Sequence, residues 1–180
     1  DKYFHLTLLI ENETGWKNLI QLVTKSHLEG FYYKPRIDKE LLEKYHDGLI
    51  ALSGCLRGEI PQLILNNQIE EAEKKIEEYR RIFGPENFFL EIGHHPNLPE
   101  TAKTNKAMKE LSERTNAPLV ATQDIHYLKP EDAEYQDILL AVQTGNRLSD
   151  DDRLTFKADD FSMRSQEQMI EYFNDLPEAV

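Results

Sequence analysis

Cys55, Glu91, His94, His95, Asp124 and His126 are side chains of metal-ligating type, and they fall in three short clusters. Each cluster closes an apolar run of strand length. Ser53-Gly54-Cys55 follows residues 49–52, Glu91 ends the run 87–92 with His94 and His95 just behind it, and Asp124-Ile125-His126 follows 119–122. A donor set that mixes sulfur, imidazole nitrogen and carboxylate oxygen suits Zn²⁺, Mn²⁺ or Fe²⁺ better than Ca²⁺ or Mg²⁺. An Asp-x-His pair on irregular backbone can bring both groups to one ion or to two neighbouring ions. Taken singly, each residue also has an ordinary role open to it. Cys55 can be a small core side chain, Glu91 a carboxylate paired to a lysine, Asp124 a turn cap, and the histidines solvated loop residues. What favours a metal site is their arrival at three successive strand ends. His5, inside an apolar run, and His27 and His46, near helix ends, read as structural. Arg36 and Arg57 lie in loops and are candidate phosphate contacts. No glycine-rich phosphate loop of the dinucleotide or P-loop type occurs.

The elements that must position these residues alternate between short apolar runs and amphipathic stretches. Residues 4–10 read as a strand. A helix follows, with Asn12 as N-cap and Trp16, Leu19, Ile20 and Val23 at helical spacing, and Gly30 stops it. Segment 31–36 is too aromatic for a plain linker. Asp38 caps a short helix, 49–53 is the next strand, and Pro61 suits the first turn of another short helix. The spacing of Ile69, Ala72, Ile76 and Phe83 predicts a helix over 68–83, closed by Gly84. Further expectations are a strand at 87–92, a helix at 99–115, a strand at 119–122 and a helix at 130–143 ended by Gly145. A last strand is expected at 161–163, and Ser165 with Gln168 forms a capping box for a final helix. Such alternation predicts an α/β fold with a mostly parallel sheet. An open doubly wound sheet and a (β/α) barrel both fit it, and both gather active groups at the carboxyl ends of strands.

Composition narrows the function classes. The 180 residues suit one domain, with 39% hydrophobic and 30% charged residues. No apolar run approaches the ~20 residues of a membrane span. One cysteine allows no internal disulfide, which favours a reducing cytoplasm. With 21 Lys and Arg against 33 Asp and Glu, the net charge is −12, so the chain as a whole is not built to grip duplex DNA by its phosphates.

Several runs carry a family resemblance: His5-Leu6-Thr7-Leu8-Leu9, the segment from Glu29-Gly30-Phe31-Tyr32-Tyr33-Lys34-Pro35-Arg36 to Asp38, Gly48 to Leu56 through Ser53-Gly54-Cys55, Ala121-Thr122-Gln123-Asp124-Ile125-His126, and Gln143-Thr144-Gly145 running on to Arg153. Together they resemble the PHP (polymerase and histidinol phosphatase) domains of the bacterial replicative DNA polymerase III alpha branch. The resemblance covers essentially the whole chain. It implies a distorted (β/α)7 TIM-like barrel, here partial, whose strand ends hold a cluster of up to three divalent metal ions that hydrolyse phosphoesters. It maps Cys55, Glu91, His95, Asp124 and His126 onto the family's ligands and leaves His94 a bystander. It further implies that 1–180 is the carboxyl-terminal portion of one PHP domain, with the amino-terminal strands and their ligands preceding Asp1 and the polymerising domains following Val180. Expected partners are then the proofreading exonuclease subunit and other replicase subunits, with DNA held by other domains and no membrane contact. Such a piece should not polymerise DNA by itself, and an exposed sheet edge should make it rearrange or dimerise. A free-standing PHP phosphatase acting on histidinol phosphate or nucleotides, and a non-catalytic interaction scaffold, are the alternatives.

Overall fold

The computed structural model describes residues 3–180. Four strands, β1 (Thr7–Ile10), β2 (Leu49–Leu52), β3 (Phe88–Gly93) and β4 (Leu119–Thr122), form one sheet in chain order. β2, β3 and β4 run parallel, with Ala51 opposite Phe88 and Leu90 opposite Leu119, whereas β1 lies antiparallel to β2 with Thr7 opposite Leu52. The order contains no reversal, so these strands have no switch point of the doubly wound kind.

Two helices, α1 (Glu13–Leu28) and α2 (Lys39–Lys44), connect β1 to β2; α3 (Glu59–Leu65) and α4 (Ile69–Phe83) connect β2 to β3; α5 (Pro99–Thr115) connects β3 to β4. α6 (Ala133–Thr144) and α7 (Gln166–Tyr172) follow β4. The caps form as the sequence predicts. The Asn12 side chain accepts from the Gly15 N–H, the Asp38 side chain from the Leu41 N–H, and Ser165 and Gln168 close a reciprocal capping box. Each such cap is worth about 1 kcal/mol.

Strand alternation decides which face carries chemistry. Phe88, Leu90 and Ile92 of β3 are buried, which leaves Phe89, Glu91 and Gly93 on the opposite face. The buried row belongs to one core with Ala72, Ile76 and Ile82 of α4 and Met108 and Leu111 of α5, and Phe88 stacks on Tyr79 at 5.2 Å. α3, α4 and α5 also pack on one another, forming a helical layer over β2, β3 and β4. Truncating Phe88 to alanine removes about 3–5 kcal/mol from such a core.

Three expectations change. The first strand starts at Thr7 rather than residue 4, because His5 pairs instead with Gly58 in a single parallel bridge. Residues 161–163 form no strand: they meet the loop after β4, where only Tyr127 and Ser162 bridge, so no ladder can extend. The helix expected from Pro130 opens as a 3₁₀ turn, Pro130–Asp132, and continues as α6.

Candidate metal centre

Gly54 turns the chain sharply after β2. Its φ is +82°, and a Cβ there would stand 2.6 Å from the His5 carbonyl oxygen, so only glycine fits. The turn sets the Cys55 Sγ 3.8 Å from His5 Nδ1. Its place inside an apolar run gives His5 a structural reading, yet it lines the same cavity as the metal-type residues. Because β1 is antiparallel, its amino end lies at the rim where the parallel strands end. Orientation, not residue type, hid it.

β3 delivers the second cluster. Its alternation turns Glu91 away from the core; the Glu91 N–H donates to Ser53 Oγ at 2.9 Å, and Oε1 accepts from Thr122 Oγ1 at 2.7 Å. Asn105 of α5 holds the strand exit, donating to the Gly93 carbonyl at 2.7 Å. His94 and His95 then part. His95 is 7% exposed and stacks on Phe161 at 4.4 Å between centroids, whereas His94 stacks on Tyr172 of α7 at 3.9 Å. After β4, Asp124 takes a left-handed conformation (φ +48°), which aspartate tolerates better than most residues. His126 Nε2 lies 3.5 Å from Asp124 Oδ1, and the His126 ring stacks on Phe156 at 4.0 Å.

Cys55, Glu91, His95, Asp124 and His126 therefore share one cavity of about 360 Å³, together with His5 and Arg57. Arg36 does not line it. The Arg36 guanidinium lies over the rings of Tyr3 and Tyr32, each at 5.2 Å, and donates to the Tyr32 carbonyl at 2.9 Å. The roof comes from a segment that the sequence marks only by the strand expected at 161–163: Leu154, Thr155, Phe156, Ala158 and Phe161. It is tied to α6 through Asp137, whose side chain is 4% exposed. Arg153 donates to both of its oxygens at 2.5 and 2.6 Å, Lys157 Nζ lies at 2.8 Å, and Thr155 Oγ1 donates at 2.9 Å. Arg153 and Lys157 hold the Asp137 carboxyl far below the usual carboxylate range.

Among the described residues, no three His, Cys, Asp or Glu side chains already stand close enough together to hold an ion. The donor chemistry nevertheless fits one. Glu91 Oε2 and both ring nitrogens of His95 are buried without a hydrogen-bond partner, and an unpaired buried polar atom costs about 1–3 kcal/mol. Burial, with Asp124 adding to it, pushes the Glu91 carboxyl up. Burial likewise raises the Cys55 thiol and lowers the His95 and His5 imidazoles. Burial thus disfavours the charged forms of Glu91, Cys55, His95 and His5, and favours for His95 and His5 the neutral imidazole that ligates metals. A cation would reverse the penalty on the carboxylate and the thiol together.

The family described as PHP domain matches residues 1–95, just over half of the chain. The chain belongs to the PHP domain family. The matched stretch of this PHP chain carries His5, Cys55, Glu91 and His95, while Asp124 and His126 lie beyond it. Curated relatives extend the similarity. DNA polymerase III subunit alpha of Treponema pallidum (strain Nichols) is 45% identical over 179 residues, which is 99% of this chain and 15% of that protein. The same-named subunits of Borreliella burgdorferi and Thermus aquaticus are each 46% identical over 177 residues, or 98% of the chain, which covers 15% and 14% of them. The PHP chain spans about 15% of the length of these relatives. Among its described residues, no helix is long and apolar enough to cross a membrane.

Proposed function

We propose that the chain is part of the PHP domain of a bacterial DNA polymerase III alpha subunit, and that its cavity is a divalent-metal site for phosphoester hydrolysis. The observation that carries this reading is that five donor-type side chains from three consecutive parallel strand ends line one cavity, with Glu91 Oε2 and both His95 ring nitrogens buried and unpaired. Cys55, Glu91, His95, Asp124 and His126, with His5, would hold Zn²⁺, Mn²⁺ or Fe²⁺. Divalent ions bound there supply an activated water and neutralise phosphate charge. The chain's own residues do the rest. Thr122 fixes the rotamer of Glu91 through its hydroxyl, and the Phe156 and Phe161 rings hold the imidazole planes. Arg57 on the cavity wall offers a planar cation to a phosphate.

In this reading residues 1–180 are the carboxyl-terminal portion of one PHP domain, and strands outside them complete the distorted (β/α)7 barrel. The unreversed strand order supports a barrel over a doubly wound sheet. DNA synthesis in chromosome replication would belong to the longer protein, a cytoplasmic enzyme with an exonuclease subunit and other replicase partners, and not to this segment alone. Similarity along the whole chain to polymerase alpha subunits favours this over a free-standing PHP phosphatase.

The test is metal content by mass spectrometry on the purified chain beside a Glu91→Ala/Asp124→Ala variant of matched circular dichroism. We expect near-stoichiometric zinc, manganese or iron that the variant loses. Equal metal in both proteins would favour the scaffold reading, and none in either would mean that ligands outside 1–180 are indispensable.

A further inference from the structure

We propose that the aromatic turn at 31–36, with Tyr3 and Arg57, is a docking platform for single-stranded DNA that leads a strand to the cavity mouth. The proposal rests on the phosphoester reading of that cavity and names the substrate that enters it.

Three neighbouring rings stand in solvent: Phe31 is 59% exposed, Tyr32 55% and Tyr33 81%. Tyr33 is held in the left-handed region (φ +59°), inside a turn closed by the Tyr32 N–H donating to the Lys34 carbonyl at 3.1 Å. A bulky residue at that φ is strained where glycine would not be, and such strain concentrates at ligand-contacting sites. Here it aims an aromatic face outward. Tyr32 and Tyr33 meet edge to face, with centroids 4.7 Å apart, so their faces point in different directions.

The cations lie with the rings. Lys34 Nζ and the Arg36 guanidinium each sit 5.2 Å from the Tyr3 ring centre. Two residues on, the His5 N–H donates to the Arg57 carbonyl at 3.0 Å, and Arg57 lines the cavity. The segment from Tyr3 to His5 therefore joins the rings and cations of the turn to Arg57 at the cavity. In a chain of net charge −12, none of Lys34, Arg36 or Arg57 has a carboxylate within ion-pair distance among the described residues.

Exposed rings beside unpaired cations match a single strand, whose bases offer π-faces and whose phosphates offer charge. A duplex hides those faces, and the overall acidity repels it. The platform thus differs from the basic surface that duplex binding requires.

Photocrosslinking tests this in the full-length protein, with a single-stranded oligonucleotide carrying 5-iodouracil and the adducts mapped by peptide mass spectrometry. Adducts are expected on Phe31, Tyr32 or Tyr33. The Tyr33→Gly variant relieves the backbone while deleting the ring, so it should stay folded and metal-loaded yet lose about tenfold in crosslink yield. Lys34→Gln should flatten the log–log salt dependence of oligonucleotide binding to the full-length protein by about 0.7. Adducts confined to other segments, as when the rest of the protein covers the turn, or a yield unchanged in Tyr33→Gly, overturn the platform. Metal content of the full-length parent, measured beside its crosslinks, separates the two readings. Crosslinks at 31–36 without bound metal would leave the platform standing and sink the metal site; bound metal without those crosslinks would do the reverse.

Discussion

Glu91 is where burial and charge conflict most sharply. Its folded pKa is raised by burial first and by Asp124 next, while Thr122 holds one oxygen in place. A carboxyl whose folded pKa exceeds its unfolded value contributes stability at low pH and loses it as pH rises through the folded value. At neutral pH the metal-free chain therefore carries a penalty that Glu91→Gln removes. We expect the variant to melt higher than the parent at neutral pH, with the gap closing as pH falls, followed by thermal unfolding across pH. Added Zn²⁺ should raise the melting temperature of the parent and leave the variant nearly unmoved, because only a group that binds the ion in the folded state is stabilised by it. Most of this site was legible from residue type and strand-end position. Cys55, Glu91, His95, Asp124 and His126 all sit just past or at the end of apolar runs, where parallel strands present their chemistry. His5 was not legible by that rule, since an antiparallel strand offers its amino end to the same rim. That Tyr3 and Tyr32 flank the Arg36 guanidinium was not legible either, because a loop sequence does not reveal which rings it will meet.

The roof over the cavity depends on one anchoring carboxylate in α6. Asp137 binds Arg153, Thr155 and Lys157, and the segment beyond carries the rings that face His126 and His95. Asp137→Asn should free this segment, with faster tryptic cleavage at Arg153 and Lys157 as the readout. The pH dependence has a definite sign. A carboxyl with a depressed folded pKa contributes stability above its unfolded pKa and loses it as pH falls through the folded value. The parent should thus lose stability in acid more steeply than Asp137→Asn. Sequence patterns gave the helices well, because caps such as Asn12, Asp38 and Ser165 act locally. They gave the roof poorly. Phe156 sits in a stretch without periodicity, Phe161 opens an expected strand that does not form, and the role of both depends on a tether from a distant helix.

The alternation of strands and helices left open how the strands order, since a barrel and a doubly wound sheet share the same local pattern. Consecutive order with a reversed first strand is a long-range outcome that emerges only from packing. It leaves β1 paired on one side alone among the described residues, with Leu9 and Ile10 exposed beside Trp16, Ile20 and Val23 of α1. A free strand edge next to apolar surface invites another strand. We expect the isolated chain to self-associate in light scattering and Leu9→Lys to shift it toward monomer; a monomeric parent would count against edge pairing. The divergence of His94 and His95 reaches furthest across the molecule. Adjacent residues place one ring in the cavity and the other on Tyr172 of α7, a helix that lines none of the cavity. A backbone shift at 94–95 would carry both rings with it, so one dipeptide is a shared hinge point for the cavity wall and the docking of α7.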